Sequence, residues 1–349
     1  MAREHVILTG HAPTAGCLSG AARRLAALLL SSLVIAAQAG PVIDGEGVKL
    51  VLHGTAHDAL YDLAFEGRDG IAVGAFGAIV TTADGGATWT RQSPTPTELA
   101  LFGVARREGR CVAVGQTGLT LAAQDCRQWK ASRSVSQSRL ISVSLNSSGQ
   151  AFAVGSFGTI LRSSDWGQTW TSVPMDWSRI TAEGAEPHLY GVHVGDEGTV
   201  TAVGEFELVL RSTDGGARWN VLHKGEKSLF GLQILDGGQI YAVGQDGAVL
   251  SSPDGGASWR ALDTGVTAIL TGVLALPTGT VMATGINTII YSRDGGASWS
   301  ALQSKLVKNA WHETLAASED PSGNQRIVSV GAGGMILELS QKTNIKEGS

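Results

Sequence analysis

The sequence predicts an all-β fold: a seven-bladed β-propeller of four-stranded antiparallel blades, closed by an N-terminal strand that completes the last blade. Three observations predict it. A short apolar segment ending in Gly occurs seven times, at Gly74, Gly115, Gly155, Gly204, Gly244, Gly285 and Gly331, with spacings of 41, 40, 49, 40, 41 and 46 residues. An Asp-x-Gly-x-x-Trp element follows most copies, and the seventh copy lacks it while an unassigned apolar strand precedes the first. Repeats of about 40–45 residues built from short strands are the mark of propeller blades, which bury their faces only against neighbours.

Composition agrees. With 43% hydrophobic residues the 349-residue chain is too apolar to be disordered, and its 47 glycines demand many turns. A net charge of −5 excludes a nucleic-acid wrapper. No apolar run past residue 40 reaches about 18 residues, which excludes a polytopic membrane protein.

Residues 1–39 read as a signal peptide. Arg23 and Arg24 precede the run Leu25 to Ala37, and Ala37-Gln38-Ala39 supplies a small-x-small cleavage site. Cleavage after Ala39 removes Arg3, Arg23, Arg24 and Glu4, together +2, and leaves a mature chain of −7. The expected location is the periplasm or another exported compartment, and either the general or the twin-arginine route is open. Cys17 goes with the leader. The propeller then occupies residues 40–340 and a polar tail residues 341–349.

Each unit reads as four strands. The first begins at a Leu-aromatic-Gly-Val pattern, as in Leu101-Phe102-Gly103-Val104 or Leu189-Tyr190-Gly191-Val192. The second is the segment ending in Gly. A glycine-bearing turn such as Ala75-Phe76-Gly77 suits a tight hairpin into the third. The Asp element turns the chain into the fourth strand at the Trp. Its copies pair Asp84 with Trp89, Asp165 with Trp170, Asp214 with Trp219, Asp254 with Trp259 and Asp294 with Trp299. The Asp side chain accepts backbone N–H groups to lock the turn, and the Trp supplies apolar area. One Asp per turn offers too few oxygens for calcium. The copy Asp125 to Trp129 is one residue short and contains Cys126. Cys126 and Cys111 fall on neighbouring strands of one hairpin; an exported chain permits a bridge, and two small buried thiols are the alternative.

The seventh unit ends at Met335 to Ser340 without Asp turn or Trp, so Gly47 to His53 is expected to supply its outer strand. That closure ties both ends of the chain into one blade and removes the open edge.

With these Ser/Thr-x-Asp-x-Gly-x-x-Trp boxes alternating with A-V-G strands over residues 47–340, the chain resembles the photosystem II stability/assembly factor family of Asp-box, or BNR-repeat, propellers. The resemblance implies a scaffold of the thylakoid lumen or periplasm, lumenal if the host is photosynthetic. Such a scaffold binds a newly made membrane protein, partly through an arginine-rich patch. Arg162 and Arg211 recur before two Asp turns, where other blades have Thr81, Ala122, Ser251 and Tyr291. What carries over is an exported, non-enzymatic, protein-binding assembly factor for an envelope or photosynthetic membrane complex. It is expected to be a monomer without cofactor, metal, nucleic acid or small-molecule substrate.

Asp boxes also occur in sialidases, so the alternative is a carbohydrate-binding protein or glycoside hydrolase. Tyr241 and Tyr291 read as blade residues, and Glu183 and Glu186 sit three apart in one loop with nothing to hold them on opposite sides of a sugar. Trp311-His312-Glu313 lacks the second His of a zinc helix, and His53 and His57 read as surface histidines.

For a partner, the hairpin between second and third strands and the inter-blade connection share one rim, and the Asp turns lie on the other. The hairpin rim is expected to present Phe76, Phe157 and Phe206, aligned with Gln116, Gln245 and Ile286, as an exposed apolar ring or as inter-blade packing. Two long connections, Pro174 to His188 and Lys305 to Glu313, add Trp177, Arg179, Glu183, Glu186, His188, Lys308, Trp311 and His312 as expected contacts.

Overall fold

The computed structural model describes residues 47–133 and 135–339. The expected signal peptide and the tail from residue 341 lie outside the described residues. Seven four-stranded antiparallel sheets follow one another around a ring. We number the blades by their inner strands: Leu60–Glu66, Leu101–Arg107, Leu140–Leu145, Leu189–Val194, Leu229–Ile234, Leu270–Ala275 and His312–Glu319. Each inner strand packs beside those of the two neighbouring blades, and the last returns to the first.

The seventh blade is completed from the other end of the chain. Val48–Leu52 pairs antiparallel with Ile336–Leu339, with Val48 opposite Leu339 and Leu52 opposite Ile336. The sheet edge that an open ring would expose is thereby paired. Seven buried clusters fill the spaces between adjacent blades, one per interface. Two of them close the seam: Leu337, Leu339 and Val48 on one side, Val328, Ile336, Val51 and Leu52 on the other.

The seven recurrent glycines have one physical cause. Gly74 is extended (φ −169°), so its need is not a left-handed backbone. A Cβ there would stand 1.9 Å from the Ala59 carbonyl, and at Gly155 and Gly244 it would stand 2.0 Å from the carbonyls of Arg139 and Ser228. The following residue needs that carbonyl: Ala75 N–H donates to Ala59 O (3.0 Å) and Gln245 N–H to Ser228 O (2.9 Å). This bond ties the hairpin to the start of the inner strand, and only a residue without a side chain lets the two backbones meet.

The Asp turns fold as the sequence predicts. Asp84 Oδ1 accepts from the Thr82 hydroxyl (2.7 Å) and Thr88 N–H (3.0 Å), and Gly86 N–H donates to Thr82 Oγ1 (3.0 Å). Trp89 Nε1–H donates to the Gly86 carbonyl (3.1 Å). The same set recurs at Asp165, Asp254 and Asp294. The outer strand starts one residue after the Trp in blade 1, at Thr90, rather than at the Trp itself. In blade 2 the short turn has Ala123 where the others have Ser or Thr, so the hydroxyl bond is missing. Asp125 caps Arg127 and Gln128 N–H instead, and Cys126 is bonded to Cys111, which lies opposite Ala123 in register. The disulfide holds the turn where a hydroxyl would.

Candidate functional site: the hairpin rim and axial mouth

Every inner strand carries an irregularity at its second residue: the register shifts between Leu60 and Asp62, and at the matching place in the six other blades. A bulge leaves one residue out of the ladder and re-aims its side chain. The seven residues so released are Tyr61, Phe102, Ile141, Tyr190, Phe230, Thr271 and Glu313, and together they line the axial opening on the hairpin rim. Tyr61 lies 5.2 Å from Phe102 and stacks on Trp311 at 5.9 Å with an interplanar angle of 5°. On the opposite side Phe157, His188, Tyr190 and Phe230 run in sequence, with ring separations of 5.0, 6.2 and 4.8 Å. One aromatic path thus leads from the rim to the axis, and a second covers the far side of the mouth. Arg139 lies over Phe102, 5.3 Å from its ring centre.

The opening gathers two carboxyls from adjacent blades, Glu313 in the collar and Asp62 next to Tyr61. Asp62 accepts from Leu63 N–H and Val104 N–H, both at 2.8 Å. Burial nevertheless pushes its carboxyl up to about 7, against the opposing pull of those bonds. Burial, with the nearby Asp62 charge, pushes Glu313 up to about 7 as well. Tyr61 and Tyr190 are pushed up by burial and stay neutral. The channel volume is about 160 Å³.

Of the residues expected at the interface, Phe76 and Phe157 are 66% and 63% exposed, and Phe206 is 41% exposed. All three occupy the left-handed region, with φ between 53° and 63°. Their true counterparts are Thr117, Asp246 and Asn287, which share that backbone, so the alignment with Gln116, Gln245 and Ile286 was one residue out of step. The tight hairpin fixes which residue adopts positive φ, and the letters alone do not. Arg179, Glu183, Glu186 and Lys308 are exposed on the long connections; Arg179 pairs with Asp176 at 2.9 Å. His188 and Trp311 join the aromatic paths.

Two expected contacts are corrected. Trp177 is buried, packed against Gly158 in the core between blades 3 and 4, because its loop folds back over the hairpin. His312 is 1% exposed: it takes the buried position that Leu fills in the other inner strands, its ring 3.3 Å from the Val307 carbonyl. Arg162 and Arg211 belong to the other rim, where the Arg211 guanidinium donates to the Gly255 carbonyl of the next Asp turn. Sequence reasoning missed the collar and both channel carboxyls. The signal was present in the Leu-aromatic-Gly pattern and in Asp62, which stands where four blades have Gly103, Gly191, Gly231 and Gly272.

The model of the family described as "Photosynthesis system II assembly factor YCF48" matches residues 121–270 and 171–344, together more than half of the chain. This chain belongs to the YCF48 family. Two solved YCF48 structures are similar to it. The one described as "YCF48 bound to D1 peptide" has a TM-score of 0.67 at 17% identity, covering 86% of this chain and 99% of that one. YCF48 from Cyanidioschyzon merolae has a TM-score of 0.66 at 18% identity, covering 84% and 98%. The WD40 β-propeller domain of Doa1 follows at 0.65 and 13% identity, covering 85% and 98%, so the ring is shared well beyond the YCF48 family. No curated protein matches the sequence. The YCF48 family is one of assembly factors.

Proposed function

We propose that this chain is an exported, non-enzymatic assembly scaffold, and that it holds a membrane protein of the envelope or of a photosynthetic complex against its hairpin rim. One observation carries the reading. Three phenylalanines stand exposed at hairpin tips in a backbone conformation that bulky residues avoid, where other blades use Thr, Asp or Asn. Each such placement costs on the order of 1 kcal/mol and leaves much of the ring in solvent. Phe157 further continues into the aromatic path that ends at the axial mouth. Aromatic, apolar surface framed by polar loops is the usual composition of a protein-binding patch. The similar structure described with a D1 peptide supports a polypeptide as the occupant.

The hydrolase alternative has one point in its favour, since Tyr61, Glu313 and Asp62 meet at the axial opening. Three things weigh against it. Among the described residues Arg139 is the one arginine lining the mouth, where a sialidase uses three; both Asp62 oxygens are engaged by backbone amides; and the cavities there, about 160 and 280 Å³, are each smaller than a usual ligand pocket.

The test is affinity capture from detergent-solubilised envelope membranes, with the wild-type protein and a Phe157→Ser/Phe206→Ser variant. Wild type is expected to retain integral membrane proteins and the variant to lose most of them at unchanged thermal stability. Equal capture by both, or retention of soluble enzymes alone, overturns the reading.

A further inference from the structure

The axial mouth departs from the pattern of the ring at two adjacent blades. Glu313 stands in a collar whose other members are aromatic, aliphatic or Thr, and Asp62 stands at a position that is mostly Gly. The two carboxyls therefore gather on one side of the channel. Among the described residues no Lys, Arg or His forms an ion pair with either of them. Around them Tyr61, Phe102, Tyr190, Phe230 and Trp311 offer ring faces, and the chain already seats one guanidinium on this collar, that of Arg139 over Phe102. Apolar rings beside carboxyls that have no cationic partner among the described residues match one kind of group: a long alkyl stem that ends in a positive charge.

We propose that the axial mouth receives a lysine or arginine side chain carried on an otherwise apolar segment of the partner, its stem against the collar and its charged head toward Asp62 and Glu313. This rests on the reading of the hairpin rim as the docking surface and names the chemistry that the surface selects. An acidic or wholly apolar segment would leave the two carboxyls opposed or unpaired in a buried channel, which costs more than it returns.

The proposal carries a pH signature. Both carboxyls are held up to about 7 by burial, so the empty channel retains protons that an arriving cation displaces. Binding then strengthens as pH rises through 7. Other ionisable groups face the opening as well: His188 lies on the aromatic path beside Tyr190, and Arg139 lies over Phe102. Tyr61 and Tyr190 are pushed up by burial. His312, behind Glu313, is pushed down by burial and stays neutral. Blades 2, 5 and 6 contribute Phe102, Phe230 and Thr271 there.

The experiment is selection of a displayed random nine-residue peptide library on the immobilised purified protein at pH 8. Enriched peptides are expected to combine one Lys or Arg with flanking aliphatic or aromatic residues. A synthetic copy of one such peptide is then compared with its Lys→norleucine or Arg→norleucine analogue by calorimetry. The analogue should bind roughly tenfold more weakly at pH 8. The parent should weaken by about as much between pH 8 and pH 5.5. In a Glu313→Gln variant both differences should shrink while the parent still binds through the collar. The norleucine comparison needs no variant, so a misfolded Glu313→Gln protein leaves the test intact. Enrichment of acidic or uncharged peptides, an analogue as tight as its parent, or no enrichment at all overturns the proposal. If membrane capture still depends on Phe157 and Phe206 in that event, the docking surface stands and its charge preference falls.

Discussion

Carboxylates at the two ends of this propeller are tuned in opposite directions by their surroundings. Hydrogen bonds from Thr88 and Thr82 hold Asp84 down to about 2 despite some burial, and the hydroxyls of Ser298 and Ser292 hold Asp294 there too. The folded chain keeps these groups ionised more readily than the unfolded chain does. Their stabilising effect is therefore complete above the ordinary carboxylate range and is lost as pH falls toward 2. Glu313 works the other way. With its folded pKa up at about 7, the folded protein holds a proton that the unfolded chain has released between about pH 4.5 and pH 7. Stability is therefore lost as pH rises through that window. Glu313→Gln is expected to raise stability at pH 8 by roughly 1–2 kcal/mol and to change little at pH 4, as urea unfolding at the two values would measure. A less stable variant at pH 8 would show that the ionised carboxylate contributes favourable contacts.

The collar was hidden in the sequence for a reason that belongs to this scale. Strict alternation would group Leu60 with Asp62 and turn Tyr61 to the opposite face, and the bulge that overrides alternation leaves no letter of its own. Trp177 and His312 were misplaced because loop membership was equated with exposure. A glycine under one and an inner-strand start at the other make both positions buried.

Among the elements, the Asp turn was fully legible because each copy repeats the same donors and acceptors at the same spacing. Its one defective copy was legible as a defect. Blade 2 lost the Ser or Thr hydroxyl and one residue of the turn, and the Cys111–Cys126 bond stands in its place. Cys126 also receives a contact from the Arg106 guanidinium, which pairs with Asp69 of blade 1 at 2.9 Å, so the turn is tied into the interface between the blades. The sequence separation of 15 makes the closed loop worth roughly 3 kcal/mol. Cys111→Ala/Cys126→Ala is expected to lower stability by about that amount, and a reductant should then have no further effect. Equal unfolding midpoints for wild type and variant under oxidising conditions would place the stabilisation elsewhere.

For the whole ring, the period, the blade number and the closure could all be read from the residues, because a blade short of a strand at one end and a strand short of a blade at the other leave one arrangement. The structure has it: Val48–Leu52 lies against Ile336–Leu339, and Arg326, paired with Glu338 within blade 7 (2.9 Å), reaches the Asp84 carbonyl of blade 1 (3.1 Å). Deleting residues 47–53 exposes the edge of blade 7 and uncovers two interblade cores. Because blades bury their faces only on one another, the loss is expected to spread around the ring. The truncated protein should unfold well below the full chain in a single broadened transition. An unchanged midpoint would mean that the seam contributes nothing.

The same seam also settles which way the molecule faces when it is held by an end. Val48 and Leu339 are register partners, and beside them Arg326 touches Asp84, so both described termini leave the ring among the Asp turns. A fusion, a resin or a lipid attached through either end therefore turns the phenylalanine tips outward into the medium. Threading a short linker between residues 339 and 48 and cutting the chain in a connection such as 263–269 would reverse that orientation without altering a single blade.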